Sequence, residues 1–177
     1  MFKLNSYFSD NNIVPIKNYT FGAKISFNYM FKNNFGIYTG LGLESNYTNE
    51  NNQSNKVSVF RGQIGPSYKF INKPNLFMTI TPNYTYETMG VNLTFNSTNS
   101  VGSFLQNKIG NSLQLNRKSH SLGLLLSVNL FKDYVVDFGY SYNLNQSAFN
   151  FVGSTNQNGL PMERNGVFMI STLVKIK

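Results

Sequence analysis

From Tyr19 to Phe31 every second position is apolar or aromatic: Tyr19, Phe21, Ala23, Ile25, Phe27, Tyr29, Phe31. The positions between them read Thr20, Gly22, Lys24, Ser26, Asn28, Met30. A period of two places alternate side chains on opposite faces of a β-strand. The run outlasts the roughly 5–6 residues of an ordinary globular strand. It reaches the roughly 9–11 residues that a tilted barrel strand needs to cross a bilayer.

The pattern recurs along the chain. Phe35, Ile37, Thr39, Leu41, Leu43 and Tyr47 alternate with Gly36, Tyr38, Gly40, Gly42, Glu44 and Asn46. From Lys56 the apolar phase is Phe60, Ile64, Tyr68, Phe70, with Pro66 among them, against Arg61, Gln63, Gly65, Ser67, Lys69. From Leu76 it is Leu76, Met78, Ile80, Pro82, Tyr84, Tyr86 against Thr79, Thr81, Asn83, Thr85. From Arg117 it is Leu122, Leu124, Leu126, Val128, Leu130 against Ser119, Ser121, Gly123, Ser127, Asn129. From Tyr134 it is Tyr134, Val136, Phe138, Tyr140, Tyr142, Leu144 against Asp137, Gly139, Ser141, Asn143. A last segment carries Phe168, Ile170, Thr172, Val174, Ile176. These are seven strands, and Met1–Phe8 is read as an eighth, with Phe2 and Leu4 alternating with Lys3 and Asn5. Pro66 and Pro82 share the apolar phase and are read as bulges or local bends, since proline removes a ladder donor.

The predicted connections alternate in length. Lys32–Asn34, Ile71–Asn75 and Phe131–Asp133 are short; Asn46–Asn55, Glu87–Asn116 and Gln146–Glu163 are long and polar. Short turns on one rim and long loops on the other are the habit of outer-membrane barrels. Eight strands put both termini on the short-turn rim. The fold class is therefore all-β: an eight-stranded antiparallel up-and-down transmembrane barrel, one domain over residues 1–177, with a packed polar lumen.

Alternation alone also fits a soluble barrel whose apolar face lines a ligand cavity. Three features turn the apolar face outward. It is continuous on almost every strand, and a soluble exterior tolerates no such belt. Its ends are aromatic, with Tyr19, Tyr29, Phe31, Phe35, Tyr68, Phe70, Tyr134 and Tyr142 as the expected interfacial girdles. The polar face is built of Gly, Ser, Thr and Asn, whereas a soluble exterior carries many Lys and Glu.

Composition agrees. Charged residues are 12% of the chain, against about 25% in ordinary soluble domains. No apolar run approaches the roughly 20 residues of a membrane helix. The chain has no cysteine, which excludes disulfides and thiolate metal sites. Met1–Asn5 lacks the apolar core of a secretory signal, so an outer-membrane location implies that the signal is absent from the sequence as it stands. The bases behind the net charge of +8 are scattered one or two per segment from Lys3 to Lys177, with Arg117-Lys118 the densest pair. That disfavours nucleic acid, which needs a basic stripe. It suits anionic lipid head groups at strand ends.

Candidate chemistry is sparse. Lys24, Glu44, Arg61 and Asp137 share the inward phase, with Glu87 near the outer rim, and Glu44 and Arg61 flank the Asn46–Asn55 hairpin and are expected to face each other at similar height. They are read as a lumenal ion-pair network filling a barrel too narrow for a pore; a gated small-solute pore is the functional alternative. His120 is the only histidine, and small barrels include lipid A-modifying enzymes with a histidine near the outer rim. A hydrolytic triad also needs an orienting carboxylate, for which Glu87 and Glu163 are the candidates. His120 shares the apolar phase, so it is read as an interfacial polar residue. No catalytic residue, cofactor or metal site is assigned. Asn92–Asn116 reads as a surface loop with room for a binding role.

The strings Gly36-Ile37-Tyr38-Thr39-Gly40-Leu41-Gly42-Leu43, Gly65-Pro66-Ser67-Tyr68-Lys69-Phe70 and Thr81-Pro82-Asn83-Tyr84-Thr85-Tyr86 resemble the outer-membrane β-barrel domain family. This is the PorT-like group, which shares its architecture with OmpA- and OmpX-type barrels. The resemblance implies insertion into the outer membrane of a Gram-negative bacterium by the barrel-assembly machinery, and it brings no shared catalytic residues. Such barrels usually end in an aromatic residue, where this chain reads Val174-Lys175-Ile176-Lys177. The expected role is structural or interactive, as an accessory subunit of a larger outer-membrane complex or a loop-mediated binding protein. Expected partners are outer-membrane lipid, lipopolysaccharide and other outer-membrane proteins.

Overall fold

The computed structural model describes residues 19–50, 53–95, 112–130, 134–145, 150–151 and 166–174. The expected eighth strand, Met1–Phe8, lies outside them, as do the turn Phe131–Asp133 and residues Ile176 and Glu163. Among the described residues every regular element is a strand. These are β1 (Phe21–Met30), β2 (Phe35–Glu50), β3 (Gln53–Lys73), β4 (Leu76–Phe95), β5 (Ser112–Leu130), β6 (Tyr134–Asn143), β7 (Asn150–Phe151) and β8 (Gly166–Val174).

The seven long strands form one antiparallel up-and-down sheet in the order β1-β2-β3-β4-β5-β6-β8, with β7 pairing to β5. The sheet curls into a half-barrel. Each strand reverses the direction of the one before it, so β1 and β8, at the two edges, run the same way. The β1–β2 turn is tight: Phe31 N–H donates to the Phe35 carbonyl at 2.6 Å. Asn34 takes a positive φ of 65° there, a conformation that asparagine tolerates better than most residues. The Pro74-Asn75 turn joins β3 to β4 at the same end.

One of the long polar loops expected from the sequence is largely strand, and a second is shortened by strand at both ends. β2 continues to Glu50 and β3 begins at Gln53, so Asn46–Asn55 is mostly ladder. β4 continues to Phe95 and β5 begins at Ser112, which removes most of the ends of Glu87–Asn116 from the loop.

The reason is a change of phase. Between the tight-turn end and the level of Phe60, Tyr86 and His120, the outward positions are mainly apolar and the inward ones mainly polar, with Tyr38, Leu125 and, on β8, Val167, Met169 and Leu173 also turned inward. Beyond that level the assignment reverses on β3, β4 and β5. Val57, Val59, Met89, Val91, Leu93 and Leu115 point inward and are at most 2% exposed. Lys56, Ser58, Thr88, Gly90, Asn92, Gln114, Asn116 and Lys118 face the other way. Each strand half buries the face that its surroundings require.

The two prolines lie opposite each other. The β3–β4 ladder is continuous up to Ile64↔Tyr84 and resumes at Tyr68↔Ile80; the pairs between them, which would set Pro66 against Pro82, are not formed. Neither proline has an N–H to donate. Beside the gap, the Ser67 and Thr81 hydroxyls bond at 2.8 Å, and Gly65 lies so close to β4 that an added Cβ would be 2.0 Å from the Pro82 carbonyl oxygen. A register shift follows between Lys69 and Ile71.

Candidate functional site

The concave side of the sheet holds the charged residues. Arg61 on β3 stands directly opposite Glu87 on β4. Its Nη2 donates to Glu87 Oε2 at 2.8 Å and its Nε to the same oxygen at 3.3 Å. Its Nη1 donates to Glu44 Oε1 on β2. The second Glu44 oxygen accepts from Thr20 Oγ1 at 2.5 Å. One guanidinium thus bridges carboxylates from both neighbouring strands, which its planar fork of donors suits. Arg61 and Glu87 are buried and Glu44 is half-buried.

Lys24 on β1 makes a second pair. Its Nζ bonds Asp137 Oδ2 on β6 at 2.7 Å and sits 5.3 Å from the centre of the Tyr38 ring. Asp137 is 1% exposed. A polar chain fills the space beside these pairs: Tyr38 Oη reaches Gln63 Oε1 at 3.5 Å, and Gln63 Nε2 reaches Thr85 Oγ1 at 3.4 Å. Arg117, also inward and buried, lies further along β5. A cavity of about 280 Å³ opens beside Lys24, Glu44, Arg61 and Gln63, between the edges of β1 and β8.

The structure therefore joins Lys24 to Asp137 and Arg61 to Glu44 as two separate groups. Glu87 is a direct member of the Arg61 group. Tyr38, wedged beside Lys24, was not singled out in the sequence, although it shares the inward phase with Glu44.

The eight girdle aromatics all point outward and are exposed. Tyr29, Phe31, Phe35, Tyr68, Phe70 and Tyr134 cluster towards the tight-turn end, with Phe35 against Tyr68 at 4.9 Å and Tyr29 against Phe31 at 5.3 Å. Tyr19 and Tyr142 lie at the other end of the apolar belt. His120 sits at that level too, half-buried, with Nδ1 hydrogen-bonded to Tyr84 Oη. Its ring is 5.8 Å from that of Tyr84 and 5.4 Å from that of Tyr86. Its backbone N–H donates to Asn145 Oδ1 at 3.0 Å. Glu87, one of the two candidate carboxylates, points to the opposite face and is bound to Arg61. Among the described residues no group of three or more His, Asp or Glu side chains could hold a metal ion.

Comparison of the chain with models of known protein families, with curated proteins and with solved structures finds no match. The paired charges lock strands β1, β2, β3, β4 and β6 together across the concave side. Each of Lys24, Glu44, Arg61, Glu87 and Asp137 is held in an ion pair.

Proposed function

We propose that this chain is an eight-stranded barrel of the bacterial outer membrane, lipid-facing outside and packed inside. Its role is structural or interactive. The observation that carries this reading is the outward belt of exposed apolar side chains on every long strand, backed by ion pairs on the concave side. Phe21, Ile25 and Phe27 on β1, Leu41 and Leu43 on β2, Ile64 on β3, Leu122 and Leu124 on β5, and Phe168 and Ile170 on β8 are all exposed. Burying such a belt in lipid removes a large apolar area from water. Strands of ten residues in β1 and β6 and nine in β8 match the roughly 9–11 needed to cross the hydrocarbon.

The open edges of β1 and β8 support closure by one more strand. In lipid every backbone N–H and C=O must find a partner, so an open sheet edge is not viable there. Two edge strands running the same way need one antiparallel strand between them. Because β1 begins at the end opposite the tight turns, a strand preceding it must start at the tight-turn end. Met1–Phe8, with its alternating Phe2 and Leu4, is the segment we assign to that place. The resemblance to PorT-like and OmpA-type barrels points the same way.

The contact surface for partners is assigned to the end away from the tight turns. There β2 to β5 extend beyond the apolar belt. The strand ends Phe95, Ser112, Asn143 and Gly166, which bound the longest stretches between long strands, lie at the same end. Isolation of the protein from native outer membrane in mild detergent, with mass spectrometry of what accompanies it, tests the role. Stoichiometric outer-membrane proteins are expected. Recovery as a lone monomer, with and without crosslinking, overturns the interaction role.

A further inference from the structure

Just beyond the apolar belt, the outward face of β2–β5 carries a concavity of about 870 Å³. Its shape follows from the register. Ser45, Ser58, Gly90 and Asn116 are successive cross-strand partners, so small side chains form its floor. On the belt side the next row is Leu43, Phe60, Thr88 and Lys118. On the far side it is Tyr47, Lys56, Asn92 and Gln114. Leu43 and Phe60 line the lower wall, and Phe21, the cross-strand partner of Ser45, closes the β1 side; Lys56 and Lys118 line the concavity on opposite sides.

The free charge there is one-sided. Glu44 borders the concavity, but its carboxylate, like those of Glu87 and Asp137, is bound to a cation on the concave side. The outward positions of β2–β5 within Ser45–Asn49, Ser54–Phe60, Thr88–Thr94 and Ser112–Lys118 hold two lysines and no acid. A ligand for this place has an anionic head that reaches both ammonium groups and an apolar part that lies along Leu43 and Phe60. We infer that the concavity is a binding site for a phosphate-bearing membrane lipid, its head group between Lys56 and Lys118 and its acyl chains against the belt. The inference rests on the bilayer-spanning reading, which puts this row at the membrane surface. Basic residues at that depth favour anionic lipids, and the phase change sets the depth independently of the lysines.

The chain has no tryptophan, so one introduced indole reports alone. Phe60→Trp puts it at the concavity wall, and Phe138→Trp puts a reference on the belt of β6. Each variant is reconstituted in phosphatidylcholine vesicles containing brominated phosphatidylglycerol or brominated phosphatidylcholine, and quenching gives the relative lipid binding constant. The Phe60→Trp reporter is expected to prefer the anionic lipid by about fivefold or more, and Lys56→Ala with Lys118→Ala to abolish that preference. The Phe138→Trp reporter is expected to show none. Equal quenching by both lipids at the concavity, equal preference at both reporters, or preference surviving loss of both lysines overturns the site alone. No quenching at either reporter by either lipid overturns the bilayer reading and the site with it.

Discussion

Lys24 and Asp137 lie 113 residues apart in sequence yet bond at 2.7 Å across the concave side of the sheet. They belong to β1 and β6, which the strand order separates by four intervening strands. The pair therefore reports curvature of the whole sheet. It also sets a testable cost. Breaking a buried pair by removing one partner leaves an uncompensated charge, a loss of about 3–5 kcal/mol. Lys24→Ala is expected to destabilise by this order in urea unfolding of the refolded protein. The double change Lys24→Met with Asp137→Leu should recover most of the loss, and failure to recover any would mean that the pair is not the source.

Arg61 gives a second prediction. It holds two carboxylates through three nitrogens, and a lysine's point charge cannot reproduce that fork. Arg61→Lys should lower the temperature at which the folded form converts to the unfolded form in detergent electrophoresis. Arg61→Met should lower it further, by leaving Glu44 and Glu87 facing each other. Equal behaviour of Arg61→Lys and the unaltered protein would contradict the bridging geometry.

Gly65 is fixed by its close approach to Pro82. A Cβ there would meet the Pro82 carbonyl oxygen at 2.0 Å, so β3 and β4 must separate to admit it. Gly65→Ala should cost about 1–3 kcal/mol, in the range of overpacking. Gly62→Ala, where an added Cβ would meet only the Leu41 side chain at 3.8 Å, serves as the control and should be near neutral by the same denaturant measurement.

The phase change predicts opposite responses to charge on one strand. Leu124→Arg, in the middle of the belt, should oppose insertion by about 2–4 kcal/mol. Gln114→Arg, outward on the same strand beyond the belt, should be tolerated. Folding yields in vesicles, read by the electrophoretic shift, distinguish the two; equal yields would remove the membrane boundary placed between them.

The sequence made the belt legible and hid the extension, for one physical reason. Alternation with apolar residues outward is easy to follow from Leu76 to Tyr86. Past Glu87 the apolar residues Met89, Val91 and Leu93 move to the inward phase, and the outward positions become Thr88, Gly90 and Asn92. Read with the belt's phase, that stretch resembles a polar loop. The same switch between Val59 and Phe60 hid the start of β3. Among the candidate site residues, phase alone gathered Lys24, Glu44, Arg61, Asp137 and Glu87 on one face. The Asn46–Asn55 hairpin also set Glu44 against Arg61, as the structure has it, but the sequence did not show that Glu87 joins that pair or that Asp137 meets Lys24. The direct opposition of Arg61 and Glu87 depends on register, and Lys24 meets Asp137 only because the sheet curls. The bond between His120 and Tyr84 is likewise a matter of neighbouring strands, invisible to a single-strand pattern.

The most direct test of the central claim is labelling from the aqueous phase. The chain has no cysteine, so single cysteines at Ile25, Ile64 and Leu124 on the belt, and at Asn92, Thr94 and Gln114 beyond it, can be compared in vesicles with a membrane-impermeant maleimide. The account predicts that the first three stay unlabelled until detergent is added, while the second three react at once. Rapid labelling of all six, with folded protein still migrating as such, would contradict a lipid-facing belt.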